Sequence, residues 1–296
     1  MKYILLTKIL VEGILDFCLW QDRVWILGPQ GMRSTISFKT LLVVLFIFCG
    51  LSAALARGAE ASNHEVLIFD YHRFNTFRSD SMTVRLSVFK FQLRYMVDHG
   101  YHFIPLARYV AYRMGKAPPP PPRSVVITMD DGSESVYTRA LPLVEEYRIP
   151  VTLFIYPSAI SNASYAMTWQ QLRTLKATGL FDIQSHTYWH PDFKIEKRRL
   201  TPGQYNKFVD IQLRRPRELL DRKLGIKVSL LAWPFGIYDK DLEKKASEDG
   251  YTAAFGLDGR HAGDADNIMQ ISRYLVTDRD SGRLFEDILK GTPARR

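Results

Sequence analysis

Residues 125–132 read Val-Val-Ile-Thr-Met-Asp-Asp-Gly, a β-branched run followed by two acidic residues and a glycine. Such a run is typical of a buried strand, because β-branched side chains pack well on a pleated surface. Gly132 permits a tight turn directly after the aspartates. The stretch therefore predicts a buried strand whose carboxyl end carries Asp130 and Asp131.

Strand-like and helix-like segments alternate on both sides of this stretch. Predicted strands cover 66–69, 102–104, 151–155, 181–184, 230–233, 253–255 and 270–275, and predicted helices cover 88–99, 106–113, 136–147, 169–177, 202–224, 239–248 and 284–289. Five prolines at 118–122 form an extended connector. This alternation predicts an α/β protein with parallel βα units. About seven units without a glycine-rich nucleotide loop favour a single barrel domain over an open doubly wound sheet.

Polar residues stand where the predicted strands end, which is where α/β folds place their functional groups. They are His72, Asp130 and Asp131, His186 and His190, and the segment 234–236. Two histidines four residues apart can converge on one cation from a helical turn, and an aspartate supplies a third ligand. This donor set suits zinc or another divalent transition metal that hydrolyses a bond. The alternatives are a helix-capping aspartate and a surface coincidence of two histidines.

Two of these segments identify a family. Residues 128–132 resemble the first motif, and residues 185–190 the second, of the polysaccharide deacetylases, the NodB-homology domains of carbohydrate esterase family 4. Residues 168–179, 231–236 and 241–255 are similar to further parts of that domain, so the resemblance covers about residues 66–276. It implies a distorted (β/α)7-type barrel of the NodB-homology fold.

The resemblance also implies roles for individual residues. Asp131, His186 and His190 would be the ligands of one divalent metal, zinc or alternatively cobalt, nickel or iron, and Asp130 would be the general base. Thr187 would brace the histidine turn. Four residues either line a sugar groove or pack in the core, namely Trp233, Pro234, Phe235 and Tyr238.

The chain departs from the family pattern at two places. Most members carry an arginine where this chain has Ala232, and Arg273 is the substitute we propose, with an ordinary surface arginine as the alternative. The usual C-terminal histidine, the family's general acid, is also missing. A branch that acts on poly-β-1,6-N-acetylglucosamine is similar in having a histidine at the end of the first strand. His72 is therefore expected to be the acid, unless it only caps that strand.

These resemblances predict a metal-dependent N-deacetylase acting on N-acetylglucosamine residues of an exopolysaccharide or cell-wall glycan. One alternative is a NodB-fold hydrolase of a non-sugar amide, which a secretion signal argues against. The other is a glycan-binding pseudoenzyme, which has no need to retain Asp130, Asp131, His186 and His190 together.

The N-terminal region predicts export. An almost uninterrupted apolar run at 41–56 follows Arg33 and Lys39 and precedes small-residue cleavage sites, as in a secretory signal peptide. We expect a signal peptide at 32–61, a misassigned upstream start at 1–31, and a deacetylase domain at 62–296. The alternatives are a membrane anchor and a cytoplasmic extension. Both cysteines precede residue 62, so the exported domain has none.

The charge balance is basic, with 40 Lys and Arg against 31 Asp and Glu. Six basic and four acidic residues lie in 1–61, so 34 and 27 remain in the exported domain. Without a long basic run, this surplus does not indicate nucleic acid. The expected partner is the polysaccharide, membrane contact is expected only through the leader, and the expected location is the periplasm or the extracellular cell envelope.

Overall fold

The computed structural model describes residues 23–27, 33–37 and 64–291 of the 296. The chain divides into two compact units, 1–62 and 63–296. In the first, strands β1 (Arg23–Leu27) and β2 (Arg33–Ser37) form an antiparallel pair. The apolar run of the predicted signal peptide and its cleavage sites lie outside the described residues. Within the described ranges, no helix has the length and hydropathy needed to cross a bilayer.

The second unit is built on a parallel sheet. Its strands are β3 (Leu67–Tyr71), β6 (His102–Phe103), β7 (Ser124–Asp130), β8 (Val151–Ile155), β9 (Phe181–Ser185), β10 (Leu230–Ala232), β11 (Ala253–Phe255) and β12 (Tyr274–Leu275). Their order in the sheet is β11-β10-β9-β8-β7-β3-β12, and β6 also pairs with β7. A separate small pair joins β4 (Arg73–Asn75) to β5 (Thr83–Arg85).

One segment joins the two ends of this sheet. Ile271 exchanges backbone hydrogen bonds of 2.9 Å with Ala254 and Gly256 at the edge strand β11. Three residues later, β12 pairs in parallel with β3 at the other edge. The predicted distorted (β/α)7 barrel is thereby confirmed. The segment that closes it is short, so it pairs with β11 through Ile271 and with β3 through residues 274–275.

Helices connect most successive strands of the barrel, and a last helix follows the final strand. They are α1 (Leu86–Asp98), α2 (Leu106–Arg113), α3 (Leu141–Tyr147), α4 (Trp169–Ala177), α5 (Phe193–Arg199), α6 (Pro202–Leu224), α7 (Lys240–Glu248) and α8 (Gly282–Leu289). A π-helical turn, Val136–Ala140, leads into α3. Pro142 lacks the N–H that would continue regular α-helical bonding there, so the helix predicted over 136–147 is continuous but begins with a π-helical segment.

One local expectation was wrong, and one helix was missed. The two histidines do not share a helical turn, because Thr187 (φ 66°) and His190 (φ 61°) have left-handed backbones that an α-helix excludes. Helix α5 was not predicted from the sequence. Its N-cap is Asp192, whose carboxylate accepts a hydrogen bond of 2.9 Å from the Ile195 N–H.

Strand alternation decides which residues face the barrel interior. Ile68 and Val126 belong to the smaller buried cluster inside the barrel, whereas Leu67 and Val125 pack under the helices. Because side chains alternate along a strand, Asp70, Thr128 and Asp130 take the inner side, toward its carboxyl end. The sheet thus delivers polar groups to one end of an otherwise apolar barrel.

Candidate active site

Three side chains with metal-ligating atoms converge at the carboxyl end of the barrel. Asp131 follows β7, and His186 and His190 follow β9. The Nε2 atoms of both histidines lie 3.7 Å from Asp131 Oδ1, and all three candidate ligand atoms lie within 4.8 Å of one another. The predicted ligand set is therefore assembled in space by the loops that follow β7 and β9, the strands on either side of β8.

His186 is held in the tautomer that ligation requires. Its Nδ1 lies 2.8 Å from the carbonyl oxygen of Ala232, so Nδ1–H donates there and the Nε2 lone pair is left facing Asp131. Burial lowers the pKa of His186 to about 3, and burial also lowers the pKa of His190. Both rings are thus neutral, as a metal ligand must be.

The loop that carries the histidines is fixed by side chains. Thr187 Oγ1 accepts a 3.2 Å hydrogen bond from the His190 N–H, which agrees with a bracing role. The buried Gln212 of α6 accepts from the N–H groups of Tyr188 and Trp189 at 3.2 and 3.1 Å. Gln212 was not predicted from the sequence, because a buried glutamine in an amphipathic helix looks like any other polar position.

Asp131 has the features of a cation ligand. Its φ of 71° lies in the left-handed region, so its carboxylate turns away from that of Asp130. Burial raises its pKa, and Oδ1 is buried without a hydrogen-bond partner among the described residues. An unsatisfied buried carboxylate oxygen beside two neutral imidazoles fits a divalent transition metal, which would satisfy all three.

Gly132→Ala is expected to destabilise the chain by about 1–3 kcal/mol. Gly132 has φ 74°, and a Cβ there would meet Ile155 Cγ2 and Ile160 Cδ1 at 3.1 Å. Gly115→Ala is the matched control, since Gly115 has φ 69° and a Cβ there would meet no atom within 4 Å. Urea unfolding measures both, and equal losses would mean that backbone strain alone, without the contact, explains the effect.

Arg273 forms the centre of a buried polar cluster beside the ligands. The guanidinium donates to both carboxylate oxygens of Asp130 at 2.8 Å, to Thr128 Oγ1 at 3.1 Å and to the Gly256 carbonyl at 3.2 Å. A second carboxylate oxygen, Asp70 Oδ1, lies 3.3 Å from Nη1. The side chain is fully buried, so it is not a surface arginine, and it orients Asp130.

The pKa values of the two carboxylates around Arg273 are shifted in opposite directions. Burial alone would raise the pKa of Asp130, but Arg273, then His186, overcome it and hold that pKa below its usual range. Burial raises the pKa of Asp70 well above its usual range, with Arg273 opposing. Asp130 is thus the ionised partner of the guanidinium, whereas burial favours the protonated form of Asp70.

His72 lies next to this cluster, at the end of β3. Its Nδ1 is 4.0 Å from Asp70 Oδ2, and candidate ligand atoms of Asp70, His72 and Asp130 lie within 4.8 Å of one another. Burial lowers the pKa of His72, while Asp130 and Asp131 oppose that change. His72 was predicted from the sequence and Asp70 was not, although strand alternation places Asp70 on the inner side.

The predicted groove residues separate into buried and exposed ones. Trp233 and Pro234 are buried, and the indole N–H of Trp233 donates to the Met269 carbonyl at 3.0 Å, so both pack in the core. Phe235 is 59% exposed with its ring centroid 4.5 Å from that of His190, and Tyr238 is half-buried. Of the four, Phe235 and Tyr238 therefore remain available to contact a sugar.

Two further aromatic residues near the ligands were not predicted. The Tyr156 ring lies 5.3 Å from the His190 ring, and its hydroxyl is 2.6 Å from that of the exposed Tyr165. Tyr156 directly follows β8, so the strand-end rule that singled out the aspartates could also have found it.

Unfolding of the chelator-treated chain is expected to become easier as pH falls. His186 binds a proton near its ordinary pKa of 6.5 when unfolded but only at about 3 when folded, so the unfolded state binds more protons between these values. Stability is lost as pH falls through that window, by about 2 kcal/mol from His186 alone on going to about pH 5. Urea unfolding curves at several pH values measure this. His186→Asn should flatten the dependence, and an unchanged slope in that variant would contradict the assignment.

Comparison with known proteins shows which protein family the chain resembles. The sequence profile described as polysaccharide deacetylase matches residues 117–254. Less than half of the chain, 138 of its 296 residues, is thus similar to the polysaccharide deacetylase domain. The matched range includes Asp130, Asp131, His186 and His190, whereas His72 and Arg273 lie outside it. The family resemblance and the enzyme class expected from the sequence are confirmed, and the domain is a hydrolase of the deacetylase class.

Named relatives agree with the polysaccharide deacetylase domain. A poly-beta-1,6-N-acetyl-D-glucosamine N-deacetylase of Staphylococcus epidermidis is 28% identical over 215 residues, covering 68% of this chain and 69% of the relative. A Staphylococcus aureus protein of the same name is 24% identical over 285 residues, covering 85% and 96%.

Two solved structures share the fold of the polysaccharide deacetylase domain. The Streptococcus pyogenes deacetylase PplD in complex with acetate has a TM-score of 0.67 and 20% identity, covering 76% of this chain and 98% of that one. IcaB from Ammonifex degensii has a TM-score of 0.66 and 24% identity, covering 78% and 97%.

Proposed function

We propose that this chain is an exported, metal-dependent N-deacetylase that removes acetyl groups from N-acetylglucosamine residues of a polysaccharide. The names of the staphylococcal relatives support a β-1,6-linked polymer as the substrate. The observation that carries the proposal is the placement of Asp131, His186 and His190 beside a carboxylate held by Arg273.

The metal would be held by one carboxylate oxygen and two imidazole nitrogens. Asp131 Oδ1 and the Nε2 atoms of His186 and His190 are the donors, and zinc, cobalt, nickel and iron are the candidate ions. When bound, the ion supplies Lewis acidity that polarises the acetyl carbonyl and lowers the pKa of water.

Asp130 is the general base in this proposal. Its ionised carboxylate removes the proton of the attacking water, and Arg273 fixes its orientation through two hydrogen bonds of 2.8 Å. The guanidinium stabilises the ionised form, so the base gains its function from position more than from basicity.

His72 is the general acid. It protonates the nitrogen of the sugar as the carbon–nitrogen bond breaks, which releases glucosamine and acetate. Because candidate ligand atoms of His72, Asp70 and Asp130 lie within 4.8 Å of one another, the proton taken from water has a short route to the amine. One water molecule thus supplies hydroxyl to the acetyl carbon and a proton to the nitrogen.

Acetate release from defined substrates tests this function. The full chain, treated with a chelator and reloaded with zinc, cobalt or nickel, is given β-1,6-linked N-acetylglucosamine polymer, chitin oligomer and peptidoglycan. Metal-dependent release, fastest on the β-1,6 polymer, is expected. Binding without release from any of the three would instead favour the glycan-binding pseudoenzyme, and release only from small non-sugar amides would favour the second alternative.

Export is tested separately in the producing cell. The mature N-terminus is expected after Ala61, and the chain is expected in the periplasm or outside the cell. An intact N-terminus on a membrane-bound chain would instead show an anchor.

A further inference from the structure

A groove with a volume of about 580 Å³ runs between α5, the start of α6 and α7. Its floor is formed by Leu200, Tyr205, Val209 and Leu242 and its rim by polar and charged residues, among them Asn206 and Lys244. This volume lies within the usual range of ligand sites, and an apolar floor with a polar rim suits a sugar ring. None of these residues belongs to the site described above.

Tyr205 gives the floor an unused polar group. The side chain is 7% exposed, and its hydroxyl is buried without a hydrogen-bond partner among the described residues. A buried unpaired hydroxyl costs stability and is rarely left without a partner. A ligand with hydroxyl or amide groups would supply that partner once the side chains that cover the hydroxyl move aside.

Lys197 connects the groove to the segment between β10 and α7, which begins beside the catalytic residues. Its Nζ lies 2.7 Å from Asp239 and 3.4 Å from Asp241, and 5.8 Å from the centre of the Tyr205 ring. These contacts join α5 to the start of α7 over the aromatic floor. The rim of the groove is therefore held by these ion pairs, which connect α5 to α7.

The groove also lies on the same side of the barrel as the catalytic residues. α6 and α7 begin at the carboxyl side of the sheet, after β9 and β10, and the groove is lined by residues 202–209 of α6 and 241–248 of α7, so it starts at that side and continues along both helices. From Phe235, beside His190, to Asp241, on the rim, every residue is exposed or half-buried. Six peptide steps span roughly 20 Å at most, so a continuous glycan of several sugars can reach both places.

We propose that this groove is a second, non-catalytic binding site for the glycan, occupied by sugar units several positions away from the unit being deacetylated. This proposal rests on the proposed function for the identity of the polymer. A second site makes affinity depend on glycan length, because a short oligomer fills only the catalytic site, whereas a long glycan occupies the catalytic site and the groove together.

Two substitutions in the groove test this proposal. Asn206→Trp, at an exposed position on the rim, fills the groove, and we expect it to weaken binding of the β-1,6-linked polymer at least about tenfold. Tyr205→Phe removes only the unpaired hydroxyl, and we expect polymer binding to weaken about three- to tenfold. Its melting temperature should be unchanged or higher. Ser247→Trp, at an exposed position of α7 that does not line the groove, is the matched control.

Binding and turnover are measured separately. Calorimetry gives Kd for the polymer and for an N-acetylglucosamine trimer, and acetate release gives kcat and KM for both. Both groove variants should raise Kd and KM for the polymer and leave kcat and the trimer constants unchanged. Equal effects on trimer and polymer, or no effect on either, would overturn the second site. If the wild type released no acetate, the proposed function would be wrong. The polymer Kd values of the wild type and the variants would still test whether the groove binds the glycan.

Discussion

Asp130→Asn is expected to lower kcat by about 10²–10⁴-fold while the chain still binds its metal. The amide cannot accept the proton of the attacking water, whereas Asp131, His186 and His190, which would hold the metal, are unchanged. Acetate release measures kcat, and equilibrium dialysis or calorimetry with zinc or cobalt measures metal affinity.

Asp131→Asn is the informative contrast to Asp130→Asn. It removes a charged donor at the position whose Oδ1 lies 3.7 Å from both histidine Nε2 atoms, so metal affinity should fall together with activity. Asp182→Asn on β9 is the control for an aspartate outside the site, and should change neither. If Asp130→Asn lost its metal and regained full activity at high metal concentration, Asp130 would be a ligand and not the base.

Strand alternation explains how much of this site a sequence can reveal. Alternation along β7 places Val126, Thr128 and Asp130 on the same side of the sheet. Alternation along β3 places Ile68 and Asp70 on that side as well. Residues on the inner side near the carboxyl ends are therefore predictable from the alternation along each strand. The same rule predicts that Trp233, adjacent to the inward Ala232, faces the helices, which accounts for its burial.

Other features depend on contacts that no local pattern contains. Arg273 reaches Asp130 because the segment before β12 pairs with β11 while β12 itself pairs with β3, across more than 140 residues of sequence. The left-handed backbones of Thr187 and His190 carry non-glycine residues, so nothing in the sequence marks them. The helix α5 is short and is stabilised by its Asp192 cap, and its weak periodicity gave no signal.

Arg273→Met is expected to destabilise the chain by about 3–5 kcal/mol and to abolish activity. The substitution leaves the ionised Asp130 buried without its cation, and Thr128 and the Gly256 carbonyl lose a donor. Urea unfolding at neutral pH measures the loss. The control is Arg94→Met, whose exposed pair with Asp98 on α1 contributes at most about 0.5 kcal/mol.

The double variant Arg273→Met with Asp130→Asn separates charge neutralisation from catalysis. Removing both partners leaves no unpaired buried charge, so we expect stability to recover by about 1–3 kcal/mol relative to Arg273→Met alone. Activity should stay lost, because the carboxylate that takes the proton is gone. Strictly additive losses of stability would contradict a buried Arg273–Asp130 pair. Recovery of stability would show that the Arg273 cation is what makes the buried Asp130 carboxylate tolerable, and the continued loss of turnover would show that stability alone does not replace that carboxylate.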